Sequence, residues 1–160
     1  LFPYTTLFRS NATGNVDIEA GRTTNAAGVR SVIITDQVER TTSATGWNTL
    51  FAFSLDDNLA GGTGTVNHVD TSITALQNAP TGGNLAATFK LGYTIRRFNG
   101  TTVGVPSGAT SQLMYEQKDS STWLATCTFS GPTGIVLVNS QSTGTVIWGG
   151  QVQRTKIRIG

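Results

Sequence analysis

The chain has 160 residues, enough for one domain, and a domain near this size buries roughly 70% of its unfolded surface, so folding needs neither a metal nor a disulfide. Charged residues are 12% of the chain and the formal net charge is +2. The cations are scattered apart from Arg96–Arg97 and the closing Arg154, Lys156 and Arg158, a field too thin for nucleic-acid binding.

Thr and Ser together make up roughly a quarter of the residues, and Gly is 19. Threonine's branched Cβ fits a pleated strand and glycine fits tight turns, so the composition favours sheet over helix. The single cysteine, Cys127, has no partner for an intramolecular disulfide. No apolar run approaches the ~18 residues of a spanning helix, so no membrane insertion is expected. The opening also lacks the basic region and long apolar stretch of a signal peptide.

Residues 1–10, Leu-Phe-Pro-Tyr-Thr-Thr-Leu-Phe-Arg-Ser, read as the frame translation of a common sequencing-library adapter, and the only methionine is Met114. They are expected to be foreign to the fold, in an open reading frame from assembled environmental reads whose natural protein extends further upstream. Residues 11–40 form a second region. Asn15–Gly21 alternates apolar and acidic residues, and Val29–Thr35 brings Val32 and Ile34 into phase. These are short strands joined by small-residue turns, which suits a stalk-like segment or a flexible lead-in.

The main domain is expected over 41–160. Phe51, Phe53 and Leu55 alternate with smaller residues as in a half-buried strand. Asp56-Asp57-Asn58 and the glycines of 61–64 break it. A longer strand follows over 65–76, and Pro80, Gly82 and Gly83 mark a loop. Leu85, Ala87, Phe89, Leu91, Tyr93 and Ile95 give six consecutive period-two matches, which excludes a helix there. Asn99-Gly100 signals a tight hairpin, because both residues tolerate positive φ. Gln112–Glu116, Trp123–Ser130, Ile135–Val138 and Val146–Val152 supply further strands, and the tail over 156–159 alternates too.

Eight to ten short strands with regular turns predict an all-β fold, an antiparallel β-sandwich of jelly-roll or Greek-key-like form, preceded by a short β-rich stalk segment. Trp123, Phe129, Phe89, Tyr93 and Trp148 are expected to share the core between the sheets.

Candidate chemistry is sparse, and no enzyme is expected. His68 is the only histidine and accompanies no nucleophile motif, so it reads as a surface residue rather than a base. One His and one Cys cannot supply four zinc ligands. Cys127 lies in phase with Trp123 and Phe129 and reads as a small buried apolar group. Asp56-Asp57-Asn58 lacks the spaced acidic series of a calcium loop and reads as a turn. Glu116 and Asp119 show no sign of the unequal environments a glycosidase pair requires. Asn11-Ala12-Thr13 and Asn99-Gly100-Thr101 match the N-glycosylation pattern, which a Thr-rich chain produces by chance. Trp47 follows Gly46 just before a strand. It is the one residue to watch for glycan contact, although packing at the sandwich end is the expected role. No catalytic residue, metal ligand or cofactor follows from the residues, and the ligand-binding residues are unknown.

From about Thr41 to Ile159 the chain resembles the C-terminal β-sandwich domains of phage virion proteins of the fibre and tail-spike kind. The residues carrying the resemblance are Thr41–Thr45 before the strand over 49–55, the long strand Ala87–Arg97 with its glycine turn, the acidic turn from Asp119 to Trp123, and the ending Gly144–Trp148 with its alternating tail. The loop 56–65 and the stretch 78–84 depart from the pattern. The resemblance implies a virion location and assembly as a homotrimer. It also implies a structural or adhesive role, with loops presented to a host-surface glycan or another virion protein. The alternative is a carbohydrate-binding module of a secreted bacterial protein, extracellular and monomeric, with an exposed aromatic platform.

Overall fold

Alternation is the rule that builds this molecule. In a strand, successive side chains point to opposite faces, so a stripe of apolar residues at every second position closes one face of a sheet against a partner. The computed structural model describes residues 5–10, 16–23, 30–43, 45–55, 64–77, 84–107, 111–140 and 144–159. Among them are eleven strands and no helix: β1 (Thr5–Ser10), β2 (Val16–Thr23), β3 (Arg30–Thr42), β4 (Trp47–Ser54), β5 (Gly64–Gln77), β6 (Leu85–Phe98), β7 (Thr101–Gly104), β8 (Gln112–Lys118), β9 (Leu124–Ser130), β10 (Thr133–Asn139) and β11 (Val146–Ile159).

Every pairing is antiparallel, and the strands form two sheets. The large sheet runs β1-β2-β3-β11-β5-β6-β7, with β8 on β6 as well; the small sheet runs β4-β10-β9. The fold is the expected all-β, two-sheet sandwich. β7 and β8 share one edge of β6, β7 pairing with Ile95–Phe98 and β8 with Ala87–Gly92. The alternating tail over 156–159 is continuous with the last strand, so β11 spans 14 residues and pairs along its length with both β3 and β5. β2 and β3, from the lead-in, extend the large sheet, and β1 pairs with β2 at its edge.

The core lies between the sheets. From the large sheet come Val69 and Ile73 of β5, Phe89, Leu91, Tyr93 and Ile95 of β6, and Val146, Trp148 and Val152 of β11; Phe53, Val136, Val138 and Cys127 meet them from the small sheet. Trp123, just before β9, and Trp148 are both fully buried, with ring centroids 5.8 Å apart and planes tilted by 50°. Phe89 adds a third ring, 6.4 Å from Trp148. Such tilted contacts set the positive edge of one ring towards the negative face of another. The expected core aromatics are all inside, Phe129 at the margin, where its ring stacks 6.5 Å from Tyr93.

Two glycines meet two local needs, room for a neighbouring ring and a tight turn. A Cβ on Gly134 would lie 2.3 Å from Phe53 Cζ, so the bare backbone of β10 is what seats that ring. At the hairpin tip, Asn99 and Gly100 adopt φ of 47° and 79°, the left-handed pair that a two-residue β-turn requires.

The interior is not wholly apolar. Asp36 on β3 and Arg154 on β11 face inward and pair, with Asp36 Oδ2 accepting from Arg154 Nε at 3.1 Å and from Nη2 at 2.8 Å. The Arg154 guanidinium sits 4.8 Å from the centroid of the Phe53 ring. The next inward row of the sheet sets Lys156 beside Asn67, both buried.

Candidate functional site

His68 and Asp70 stand two residues apart on β5, so both lie on the outer face of the large sheet. His68 Nε2 is 3.4 Å from Asp70 Oδ2, and its Nδ1 is 2.8 Å from the hydroxyl of Thr94, its cross-strand partner on β6. The row hydroxyl–imidazole–carboxylate resembles a relay in outline. A relay needs a water-excluded site and oriented donors for the developing oxyanion. This one lies on an open sheet face with His68 and Asp70 both well exposed. Asp70 could be read from sequence as a same-face neighbour; Thr94 could not, because the β5–β6 register brings it there.

Cys127 lies inward on β9, and burial pushes its thiol up to about 11. A thiol in that range carries almost no thiolate at neutral pH, which agrees with a packing role. The same apolar surroundings, and then Cys127 itself, raise the phenol of Tyr93. Glu116 and Asp119 do not converge on a common point. Glu116 pairs with Lys118 at 2.9 Å, whereas Asp119 Oδ2 accepts the backbone N–H of Ala86 at 2.8 Å and so fastens the end of β8 to β6. Asn99 is exposed at the hairpin tip. The turn 56–58 and Asn11 lie outside the described residues, as do 56–63 and 78–83 of the two loops expected to differ from the family pattern. Among the described residues no three His, Cys, Asp or Glu side chains gather into a metal-binding group.

Three surfaces stand out instead. On β8, Leu113, Met114 and Tyr115 are all exposed, beside a register shift against β6 between Lys90 and Leu91. A bulge of this kind, with Lys118 nearby, is how sheet edges are kept from pairing further. At the β6–β7 hairpin, a hollow is lined by Arg96, Phe98, Asn99, Thr101 and Val103. The hairpin is braced from behind: Arg97 Nη1 donates to the Gly100 carbonyl at 2.6 Å and to Thr102 Oγ1 at 2.9 Å, and Thr102 Oγ1 donates to the Gly131 carbonyl at 2.7 Å.

The third surface is the outer face of the small sheet. Register across β4, β10 and β9 sets Trp47–Asn139–Leu124 in one row and Thr49–Leu137–Thr126 in the next. Two further rows follow, Ala52–Ile135–Thr128 and Ser54–Thr133–Ser130. No member of these four rows is charged. Trp47 keeps 50% of its surface exposed, so the packing role expected of it gives way to a place on the solvent side. The reason is a bulge: the register shifts opposite Val136 and Leu137, so Leu50 is an extra buried residue, and the alternation that points Phe51 and Phe53 inward changes phase there, turning Asn48 inward and Trp47 to the other face. Arg40 donates to the Thr49 carbonyl, and Asn48 Nδ2 to the Gly46 carbonyl at 3.0 Å; both bonds hold the start of β4 in place.

These features define the chain as an antiparallel β-sandwich domain whose candidate sites are surfaces. No protein-family model matches the chain. No curated protein matches it. Among solved structures, the tailspike protein of Acinetobacter baumannii phage AM24 aligns with a TM-score of 0.45 and 10% identity, over 77% of this chain and 26% of that one. The chain thus spans about a quarter of that protein's length, and at this score the likeness assigns nothing to it.

Proposed function

We propose that the chain is a non-enzymatic structural or adhesive domain of a phage virion appendage, of the fibre or tail-spike kind. It assembles as a homotrimer on the virion and meets a host surface or another virion protein through its exposed faces and loops. The observation that carries this reading is the division of labour among the side chains. His68, Glu116 and Asp119 are engaged in cross-strand bonds and ion pairs, and Cys127 in packing, whereas broad faces bearing Trp47, Phe98 and Tyr115 are open to solvent. The residues of the sequence resemblance fit the same reading: Ala87–Arg97 lie within β6 and Val146–Trp148 open β11, the long strands of the core.

Sedimentation of the purified 160-residue chain tests the assembly. A trimer is expected; a monomer that persists at high concentration would overturn it. The second reading, a carbohydrate-binding module of a secreted bacterial protein, is favoured by one observation, the exposed ring of Trp47. It requires a monomer that binds glycan, so mass and binding together separate the two.

A further inference from the structure

The outer face of the small sheet carries four rows of three uncharged side chains, with Asn139 buried in the first row beside the half-exposed Trp47 at its corner. From this we infer that the face is a binding surface for a neutral oligosaccharide, with Trp47 as the stacking platform. The inference rests on the adhesive role common to both readings above, and names the surface and the ligand class.

Three features of the face select that occupant. The first is its alternation of chemistry. Apolar Trp47, Leu124, Leu137 and Ile135 are interleaved with the hydroxyls of Thr49 and Thr128, and with that of Thr126, which is bonded to Ser111 Oγ at 2.8 Å. A pyranose has the same mixed character: a C–H face whose slightly positive hydrogens suit the negative face of an indole ring, and a rim of hydroxyls that pair with groups able both to donate and to accept.

The second is charge. An acidic polysaccharide or a nucleic acid would lose hydration here and find no cation among the four rows, which is unfavourable. Arg40, at the β4 edge, is bonded to the Thr49 carbonyl. The hollow by Arg96 and Phe98 differs in this respect, since it carries a cation and would suit an acidic ligand.

The third is size. Three strands at ~4.8 Å spacing and seven residues at ~3.3 Å rise give a face on the order of 300 Å². That is well below the ~800 Å² per partner of a stable protein interface. A second copy of the chain would therefore need much more surface than this, whereas a short oligosaccharide would not. The face is also firm: its central strand, β10, is bonded on both sides, and Trp47 enters it from a held turn. A rigid aromatic on a sheet loses little freedom on binding.

The chain carries its own reporter. Trp123 and Trp148 are 0% exposed, so ligand at this face is read through the emission of Trp47 alone. The full chain is titrated with cellohexaose, maltohexaose, mannohexaose and laminarihexaose, and with hexagalacturonate as the acidic probe. At least one neutral probe is expected to shift Trp47 emission saturably and protect it from acrylamide quenching. Trp47→Ala is expected to weaken binding at least tenfold in calorimetry, Trp47→Phe to restore part of it, and Phe98→Ala to leave it unchanged. Circular dichroism confirms that each variant is folded.

Undiminished binding by Trp47→Ala, or preference for the acidic probe, overturns the assignment of this face while leaving the adhesive role standing. Absence of binding to every probe overturns the assignment and counts against glycan adhesion as a whole. A Trp47→Ala variant that loses oligomeric mass in sedimentation, with no effect of any sugar on the wild type, makes the face a subunit contact and also overturns the proposal.

Discussion

Asp36 and Arg154 are a buried ion pair beside the buried Lys156 and Asn67, and each is costly without the other. Arg154 uses two nitrogens on one carboxylate oxygen and stacks on Phe53, so the guanidinium has replaced its water on two sides. Asp36→Asn keeps the shape and removes the charge, leaving a cation inside the sandwich. The expected cost is about 3–5 kcal/mol, measured as a drop in the urea midpoint. Cys127 makes a different prediction because its thiol is raised from an ordinary 9.0 to about 11. Below pH 9 both the folded and unfolded thiols hold their proton, so the group is neutral to stability there. Between pH 9 and 11 the unfolded thiol ionises and the folded one does not, so the unfolded state binds fewer protons and stability falls as pH rises. Cys127→Ala is expected to remove up to ~1.4 kcal/mol per pH unit of that decline, seen as a shallower loss of Tm over this window than in the wild type. Tyr93 is raised too, first by burial and then by Cys127, so the comparison between the two chains reads the thiol together with its effect on the phenol.

At the scale of the element, β11 decides whether the large sheet exists, because it joins β3 to β5 across its full length. Two adjacent glycines in it make a paired test. A Cβ at Gly150 would fall 2.7 Å from the Ser72 carbonyl oxygen on β5, a contact with backbone that no side-chain rotation relieves. One at Gly149 points outward and meets only Thr74 Oγ1 at 3.8 Å. Gly150→Ala is therefore expected to lose about 1–3 kcal/mol by wedging the two strands apart. Gly149→Ala should stay within about 0.5 kcal/mol of the wild type or gain slightly, since glycine is a weak strand former. Equal urea midpoints for the two variants would contradict the register given for β5 and β11.

At the scale of the molecule, the chain closes on itself late. β3 finds its partner in β11, more than a hundred residues further on, and the hydrogen bond from Trp148 Nε1 to Thr42 Oγ1 at 2.9 Å spans 106 positions. Non-local pairing of this kind makes folding slow, on the order of milliseconds to seconds. It also makes the C-terminus essential. A chain ending at Ser140 would lack β11 and leave β3 and β5 as bare edges; it is expected to show no cooperative unfolding by circular dichroism. Deleting residues 1–10 removes an edge strand that pairs only with β2, and is expected to shift the urea midpoint little. Losses of equal size from the two deletions would count against this unequal division of the sheet.

The sequence by itself determined the class of fold and most of the core. Six period-two matches in β6 and the alternation of β9 and β11 already place Phe89, Tyr93, Cys127 and Trp148 inward, because a pleated strand admits only two faces. Asn99-Gly100 likewise announces its turn, since few residue pairs accept positive φ. The tertiary structure alone decided which strands are neighbours, and with them the partners of the polar residues. Nothing local links Asp36 to Arg154 or Thr94 to His68; the first pair follows from register between strands far apart in sequence, the second from the register of the consecutive strands β5 and β6. Trp47 shows the limit most clearly. Strict alternation puts it on the inward face with Phe51 and Phe53; the bulge at Leu50, set only by the pairing of β4 with β10, shifts the phase and leaves the indole to solvent.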